Sequence, residues 1–263
     1  MLFRSGFFTA GDKLGAKTVA FLAADQEFAQ NLANGAKDVA KKHSLKVVYE
    51  QNYPPSTVDF SAMVRAIRAA KPDLVYVASY PNDSAAIVRA VNEIGIGESV
   101  KLFGGGMVGL QFTPIMESLG SMMNGIVNYN TYVPGMKYPG IQEYFDRYSK
   151  RAAAAKVDPL GYYITPYNYA IGQMLEQAVN ATKSLDHKTL AAYLRKNEMR
   201  TIVGPIRYGA DGEWVNPRVI LTQFRGVVDK NVDQFTQAGK QVVVAPDSVK
   251  TGEPAAPFER ARK

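Results

Sequence analysis

The sequence predicts an α/β fold in which a parallel sheet is flanked by helices. Three observations carry that expectation. Short apolar runs at residues 18–23 and 74–78 read as strands buried on both faces. Each is followed, across a short loop, by a segment whose apolar residues recur three and four positions apart. Strand-like and helix-like segments then alternate to about residue 132, the order that places parallel strands between layers of helix.

Taken in order, residues 3–13 read as a short amphipathic helix. Residues 18–23, Thr-Val-Ala-Phe-Leu-Ala, are the first strand. Asp25 is placed to cap the next helix, which runs to Lys42. That helix turns Phe28, Leu32, Ala36, Val39 and Ala40 to one face and Lys37, Asp38 and Lys41 outward. Residues 45–49 read as the second strand and Tyr53-Pro54-Pro55 as a loop. Asp59-Phe60-Ser61 opens a helix with Met63, Ile67 and Ala70 inward and Arg65 and Arg68 outward. The strand at 74–78 follows Pro72-Asp73, and a helix from Asn82 to Ile94 ends at Gly95. Residues 100–103 form a strand that empties into a turn at Gly104-Gly105-Gly106. Thr113-Pro114 starts a helix with proline in its first turn, and residues 125–132 make a further strand closed by Pro134-Gly135.

Beyond Pro134 the pattern changes. Residues 138–155, 160–181 and 188–196 read as three helices with no strand between them. Gly204-Pro205-Ile206 and Asp211-Gly212 read as turns, and residues 219–224 and 241–244 as strands. The end of the chain, 246–263, is rich in proline, charge and small residues and reads as a flexible tail. The first 133 residues thus look like a complete α/β lobe, whereas the three later helices have amphipathic faces and no sheet to cover.

Composition narrows the function classes. The 263 residues carry 31 Lys and Arg against 24 Asp and Glu, a formal net charge of +7. The bases are scattered among acids, and only Arg260-Ala261-Arg262-Lys263 is concentrated, so no nucleic-acid partner is expected. The absence of cysteine excludes disulfides, thiolate metal sites and cysteine nucleophiles. No apolar run approaches the roughly 18 residues of a membrane-spanning helix. The opening Met1-Leu2-Phe3-Arg4-Ser5-Gly6 lacks the pattern of a signal peptide.

Motifs for chemistry are few. His43 and His187 fall at helix ends among lysines, where a surface role is expected. There is no Gly-x-Ser-x-Gly, no Walker loop and no His-x-x-x-His pair. Gly104-Gly105-Gly106-Met107-Val108-Gly109 has the look of a dinucleotide fingerprint, but it follows a late strand and lacks the acidic residue about twenty positions on. The expectation is therefore a protein that is no enzyme and needs no metal or cofactor.

Ligands bind open α/β sheets outside the carboxyl ends of the strands. Three successive strand ends supply Asp25 and Phe28, then Ser79, Tyr80 and Asn82, then Gly105, Gly106 and Met107. Asp25 also reads as a cap, and Phe28 also reads as core. Together the three ends suit a cleft for a small, partly apolar ligand and offer no acid–base pair. The tyrosines at 162, 163, 167 and 169 read as core or domain interface, with Tyr162 kept as a candidate cleft residue.

In this order the segments resemble the type I periplasmic solute-binding proteins, specifically the leucine/isoleucine/valine-binding family of ABC importers. The resemblance is carried by Lys17-Thr18-Val19-Ala20-Phe21-Leu22 with Asp25-Gln26-Glu27-Phe28, by Asp59-Phe60-Ser61-Ala62-Met63-Val64, and by Pro72-Asp73-Leu74-Val75-Tyr76-Val77 with Tyr80. Gly140-Ile141-Gln142-Glu143-Tyr144-Phe145 and Val203-Gly204-Pro205-Ile206-Arg207-Tyr208 extend it over nearly the whole chain.

The resemblance implies two α/β lobes with a ligand held between them. Residues 1–132 and 213–245 would form lobe two, and residues 134–210 the late helices of lobe one. The early strands of lobe one, and a signal peptide, would then lie upstream, so Met1 would not be the natural start. For the chain as it stands, the expectation is weak binding or none. Phe28 and Tyr80 match the aromatic positions that contact ligand. Gly106 matches the place of a glutamate that holds an ammonium in the amino-acid binders. That departure makes an aromatic or aliphatic carboxylate at least as natural a ligand as an amino acid. The implied partners are a small amino acid or organic acid and the membrane-embedded permease subunits, and the implied compartment is the periplasm. The alternative is a ligand-sensing domain of a receptor or of an amide- or amino-acid-responsive regulator with the same fold.

Overall fold

The computed structural model describes residues 2–215 and 219–263, with side chains described from Ser5 onward. The chain forms two compact units, one of Met1–Pro134 with Val219–Lys263 and one of Gly135–Arg218.

The first unit holds a seven-stranded sheet. Its parallel strands are β1 (Thr18–Ala24), β2 (Lys46–Tyr53), β3 (Leu74–Ser79), β4 (Leu102–Met107) and β5 (Val127–Asn130). After the second unit the chain returns as β8 (Ile220–Phe224) and β9 (Gln241–Ala245), both antiparallel to their neighbours, and the order is β2-β1-β3-β4-β5-β8-β9. Strand β3 is buried along its whole length, as its unbroken apolar run requires. Helices α1 (Leu2–Lys13) and α2 (Glu27–Lys42) cover one face; α3 (Ser61–Ala70) and α4 (Pro81–Ile94) pack together beyond the crossovers, with α5 (Thr113–Leu119) beside α4.

Core packing is aromatic beneath β1 and β3. The Tyr76 ring lies nearly parallel to Phe8, centroids 5.7 Å apart, and edge-on to Phe7 at 5.5 Å. Such pairs add about 0.5–1.5 kcal/mol each beyond the area they bury. At the amino ends of the strands, Asp73 Oδ2 accepts from the backbone N–H of Lys17 at 2.9 Å and of Thr18 at 3.0 Å.

Several elements depart from the sequence reading. Strand β2 runs on to Tyr53, four residues past the expected end. It is an edge strand, so its polar residues Glu50, Gln51 and Asn52 sit at a half-exposed position that does not demand an apolar run. The triglycine is no turn: Gly104, Gly105 and Gly106 lie inside β4. Nor does Asp25 cap α2; the cap residue is Gln26, in extended conformation with no side-chain bond, and Asp25 is exposed.

The expectation of a flexible tail over 246–263 also fails. Its last turn is a short helix, α9 (Phe258–Ala261), and Phe258 is buried edge-on to Phe103 with centroids 5.2 Å apart. The buried Glu259 accepts from the Ile96 N–H at 2.7 Å and pairs with Arg262 Nε at 2.7 Å. One aromatic anchor and a paired carboxylate therefore order a segment whose composition alone reads as loop.

The second unit contains α6 (Ile141–Ala155), α7 (Thr165–Thr182) and α8 (His187–Lys196), with a hairpin of β6 (Met199–Thr201) and β7 (Gly204–Ile206). Gly204-Pro205-Ile206, expected as a turn, is thus a strand, with the exposed Pro205 at a position where an unpaired edge tolerates its missing N–H. Helix α7 takes the hairpin as its partner: Gln177 Nε2 donates to the Arg200 carbonyl at 2.8 Å and its Oε1 accepts from the Arg200 N–H at 3.1 Å. One turn earlier, Gln173 Oε1 accepts from the Ile202 N–H at 2.9 Å. Among the described residues, no helix is long and apolar enough to cross a membrane.

Candidate functional site

Register sets the site. Ala24 pairs with Tyr53, Ala23 with Ala78, and Ser79 with Met107, so β1 to β4 end level with one another. The residues just beyond these ends share one rim. It is the place where a twisted parallel sheet leaves a crevice.

Two expected residues meet there. The Phe28 ring, in the first turn of α2 and half exposed at 50%, stands 6.2 Å from the Tyr80 ring at an interplanar angle of 63°. In α2 the apolar residues Ala29, Leu32, Ala33, Ala36 and Ala40 are buried and Val39 is partly exposed, so the half-exposed phenyl of Phe28 stands apart. Tyr80 is the N-cap residue of α4 and is partly exposed, while Asn82 is exposed in the same turn. Asp25 lies at the rim with its side chain in solvent, its backbone N–H donating to the Tyr53 carbonyl at 2.8 Å.

Other candidates lie elsewhere. Ser79 is fully buried, its hydroxyl 2.8 Å from that of Ser84, which donates in turn to the Val108 carbonyl. Met107 is buried and its backbone is clamped by the Asn128 carboxamide, which donates to its carbonyl at 2.7 Å and accepts from its N–H at 3.0 Å. Gly105 and Gly106 are packing positions. A Cβ on Gly105 would sit 2.5 Å from the Tyr76 ring, and one on Gly106 would meet Leu32 at 2.7 Å and the Val77 carbonyl at 2.9 Å. A side chain at 106 would force these neighbours to shift, so packing alone accounts for the glycine there. Tyr162 belongs to the second unit, where its ring stands edge-on to Phe145 at 5.1 Å.

Two rim residues escaped the sequence reading. Tyr53, at the end of β2, is buried edge-on to Phe60 at 4.9 Å, and its hydroxyl donates to Asp83 Oδ2 at 3.1 Å. Burial pushes the Tyr53 phenol up, helped by the Asp83 charge beside it. Burial also raises the Asp83 carboxyl, against the opposing pull of the Tyr53 hydroxyl, which donates to it, and of the Tyr80 backbone. The signal was present: Pro81-Asn82-Asp83 after Tyr80 puts an acid in the first turn of the helix, where a negative charge is favoured.

Charge at the rim is one-sided. Residues 25–28, 54–60, 80–83, 108–112 and 131–134 carry Asp25, Glu27, Asp59 and Asp83 and no Lys, Arg or His, on a chain whose net charge is +7. Among the described residues no cluster of His, Asp and Glu could hold a metal ion.

Comparison with known proteins places the chain among relatives. Residues 5–230 match the sequence profile of a family described as periplasmic binding protein. Leu/Ile/Val-binding protein homolog 8 of Brucella abortus (strain 2308) is 30% identical over 203 residues, which cover 68% of this chain and 49% of the relative. Homolog 7 of Brucella melitensis biotype 1 is 24% identical over 241 residues, covering 89% of this chain and 56% of the relative. The chain thus spans about half the length of the curated relatives it matches. A solved periplasmic binding protein from Burkholderia mallei superposes with a TM-score of 0.71 at 22% identity, over 99% of this chain and 65% of that one. A leucine-binding protein from Thermotoga maritima gives 0.68 at 19%, over 85% and 63%. A solute-binding protein of an R. palustris ABC transporter, in complex with benzoate, gives 0.67 at 18%, over 92% and 62%. These structures share the mostly parallel sheet with flanking helices.

Proposed function

The chain belongs to the periplasmic binding protein family, and from that premise we propose that it holds a small amino acid, or an aromatic or aliphatic carboxylate, without altering it. In this reading it is part of the solute-binding component of an ABC importer. It works in the periplasm and presents its ligand to permease subunits in the membrane.

One observation carries the reading: Phe28 and Tyr80 stand as a ring pair at the level ends of β1 and β3. Such a pair offers apolar area and an edge to an aliphatic or aromatic body, with little conformational freedom to lose on binding. The rim has no nucleophile held by a base and no cation to activate water. It is suited to holding rather than reacting.

The acidic rim bears on which end of the ligand this unit meets. With Asp25, Glu27, Asp59 and Asp83 present and no base, an ammonium is favoured there and a carboxylate is repelled. An amino acid would therefore approach this rim with its side chain and ammonium, and a simple carboxylic acid with its ring or chain.

The test is a nuclear magnetic resonance titration with leucine, valine, benzoate and 4-hydroxybenzoate up to millimolar concentration, which registers weak binding. The expected result is that at least one of the four shifts the ring signals of Phe28 and Tyr80. If all four leave those signals in place, the reading is wrong.

A further inference from the structure

We propose that Tyr53 and Asp83 are positioning residues that set the angle and separation of the Phe28–Tyr80 ring pair, and through it the choice of ligand. The inference rests on the ring pair being the ligand-holding feature proposed above.

The connection runs through a single rigid point. Tyr53 closes β2, is 1% exposed, and its ring is fixed by Phe60. In one direction its carbonyl accepts from the Asp25 N–H at 2.8 Å, which holds the loop leading into the helix turn of Phe28. In the other its hydroxyl donates at 3.1 Å to Asp83 Oδ2. Asp83 sits in the first turn of α4, three residues after the N-cap Tyr80. Phe28 and Tyr80 thus hang from two loops that are tied, from behind, to the same tyrosine. Neither ring needs to touch the other strongly for their spacing to be kept.

Capping of α4 alone does not account for this arrangement. An exposed aspartate at the same helical position would serve the start of the helix equally well. Asp83 is instead drawn into a half-buried site where its charge is disfavoured, and the group it meets there is the hydroxyl of a residue on another element. Half-buried carboxylates that bridge two loops fix geometry more than they add stability.

The experiment uses the full chain and three variants, Tyr53→Phe, Asp83→Asn and the double variant. Two quantities are read: the nuclear Overhauser contact between the Phe28 and Tyr80 rings in the free protein, and the ratio of dissociation constants for leucine and benzoate. Tyr53→Phe keeps the buried ring and removes only the hydroxyl, so it tests the bridge without a cavity. The expected result is that both single variants weaken the ring contact and change the ratio by at least about fivefold. The double variant should do no more than the stronger single one, because the two residues act through one bond. A fall in melting temperature with an unchanged ring contact would reduce Asp83 to a helix cap and overturn the proposal. If neither probe binds the unaltered chain, the reading of the preceding section fails, and the ring contact in the free protein still decides the positioning claim.

Discussion

Thr18 and Asp73 exchange hydrogen bonds in both directions: the Thr18 hydroxyl donates to Asp73 Oδ2 at 2.9 Å and accepts from the Asp73 N–H at 2.8 Å. Asp73 Oδ1 also faces Lys101 Nζ at 3.2 Å, so one carboxylate ties the starts of β1, β3 and β4. Burial works to raise its pKa, but the donors from Lys17, Thr18 and Lys101 outweigh it and hold the carboxyl below its usual range. The group is ionised in the fold at a pH where the unfolded chain is protonated. Its contribution is therefore present above the unfolded pKa of roughly 3.9 and is lost as pH falls through the lower, folded value. Asp73→Asn should lower the unfolding free energy, measured by urea denaturation at pH 7, by about 1–3 kcal/mol. The gap between variant and parent should narrow as the pH is taken to 3.

Phe258→Ala should destabilise the first unit by about 3–5 kcal/mol, the cost of emptying an aromatic site in a closed core. Phe258 is 2% exposed, between Phe103 and the close approach of Gly125. Chemical denaturation checks this, and a midpoint unchanged by the substitution would return the tail to the flexible state read from its composition.

Gly105→Ala should cost at least about 1–3 kcal/mol, since its methyl has to displace the Tyr76 ring and its backbone has φ +91°. Gly106→Glu should cost more and create no ammonium site, because its side chain would enter the packing between Leu32 and the Val77 carbonyl. Soluble yield and thermal midpoint are the measurements.

Phe28→Ala should leave the melting temperature within about 2 °C of the parent, as substitutions at exposed positions away from the core cost little. Ring-signal shifts at Tyr80 on titration should meanwhile shrink or vanish. A large loss of stability would mean that the half-exposed ring belongs to the core.

Gln177→Ala should weaken the second unit by about 1–3 kcal/mol, because it removes both of the bonds that hold Arg200 of β6 to α7. Amide exchange at Arg200 should rise more than exchange at Leu190 in α8.

How much of this was legible in the sequence depends on what each residue had to satisfy. Strands β1 and β3 are buried on both faces, so their apolar runs had no other reading. Strand β2 lies at an edge, and Glu50-Gln51-Asn52 hid its second half. With that half went Tyr53. Glycine is ambiguous for a different reason: Gly104-Gly105-Gly106 is what a turn uses, and equally what a strand uses where the ring of Tyr76 lies against it. Phe28 was read both as core and as cleft because helical spacing fits either, and only its exposure distinguishes them. Tyr162 was placed by its neighbours in sequence, and its packing against Phe145 comes from a helix that begins some twenty residues earlier.

The pairing of β5 with β8 has a consequence for the order of events on the ribosome. Asn130 faces Ile220, ninety positions later, and the whole second unit is made in between. At about 5–20 residues per second, β5 waits roughly 5–20 s as an open strand edge before its partner emerges. Until then the strands already made, β1 to β5, have one border without its partner and no aromatic plug from Phe258. That interval leaves the edge of β5 open to wrong pairing.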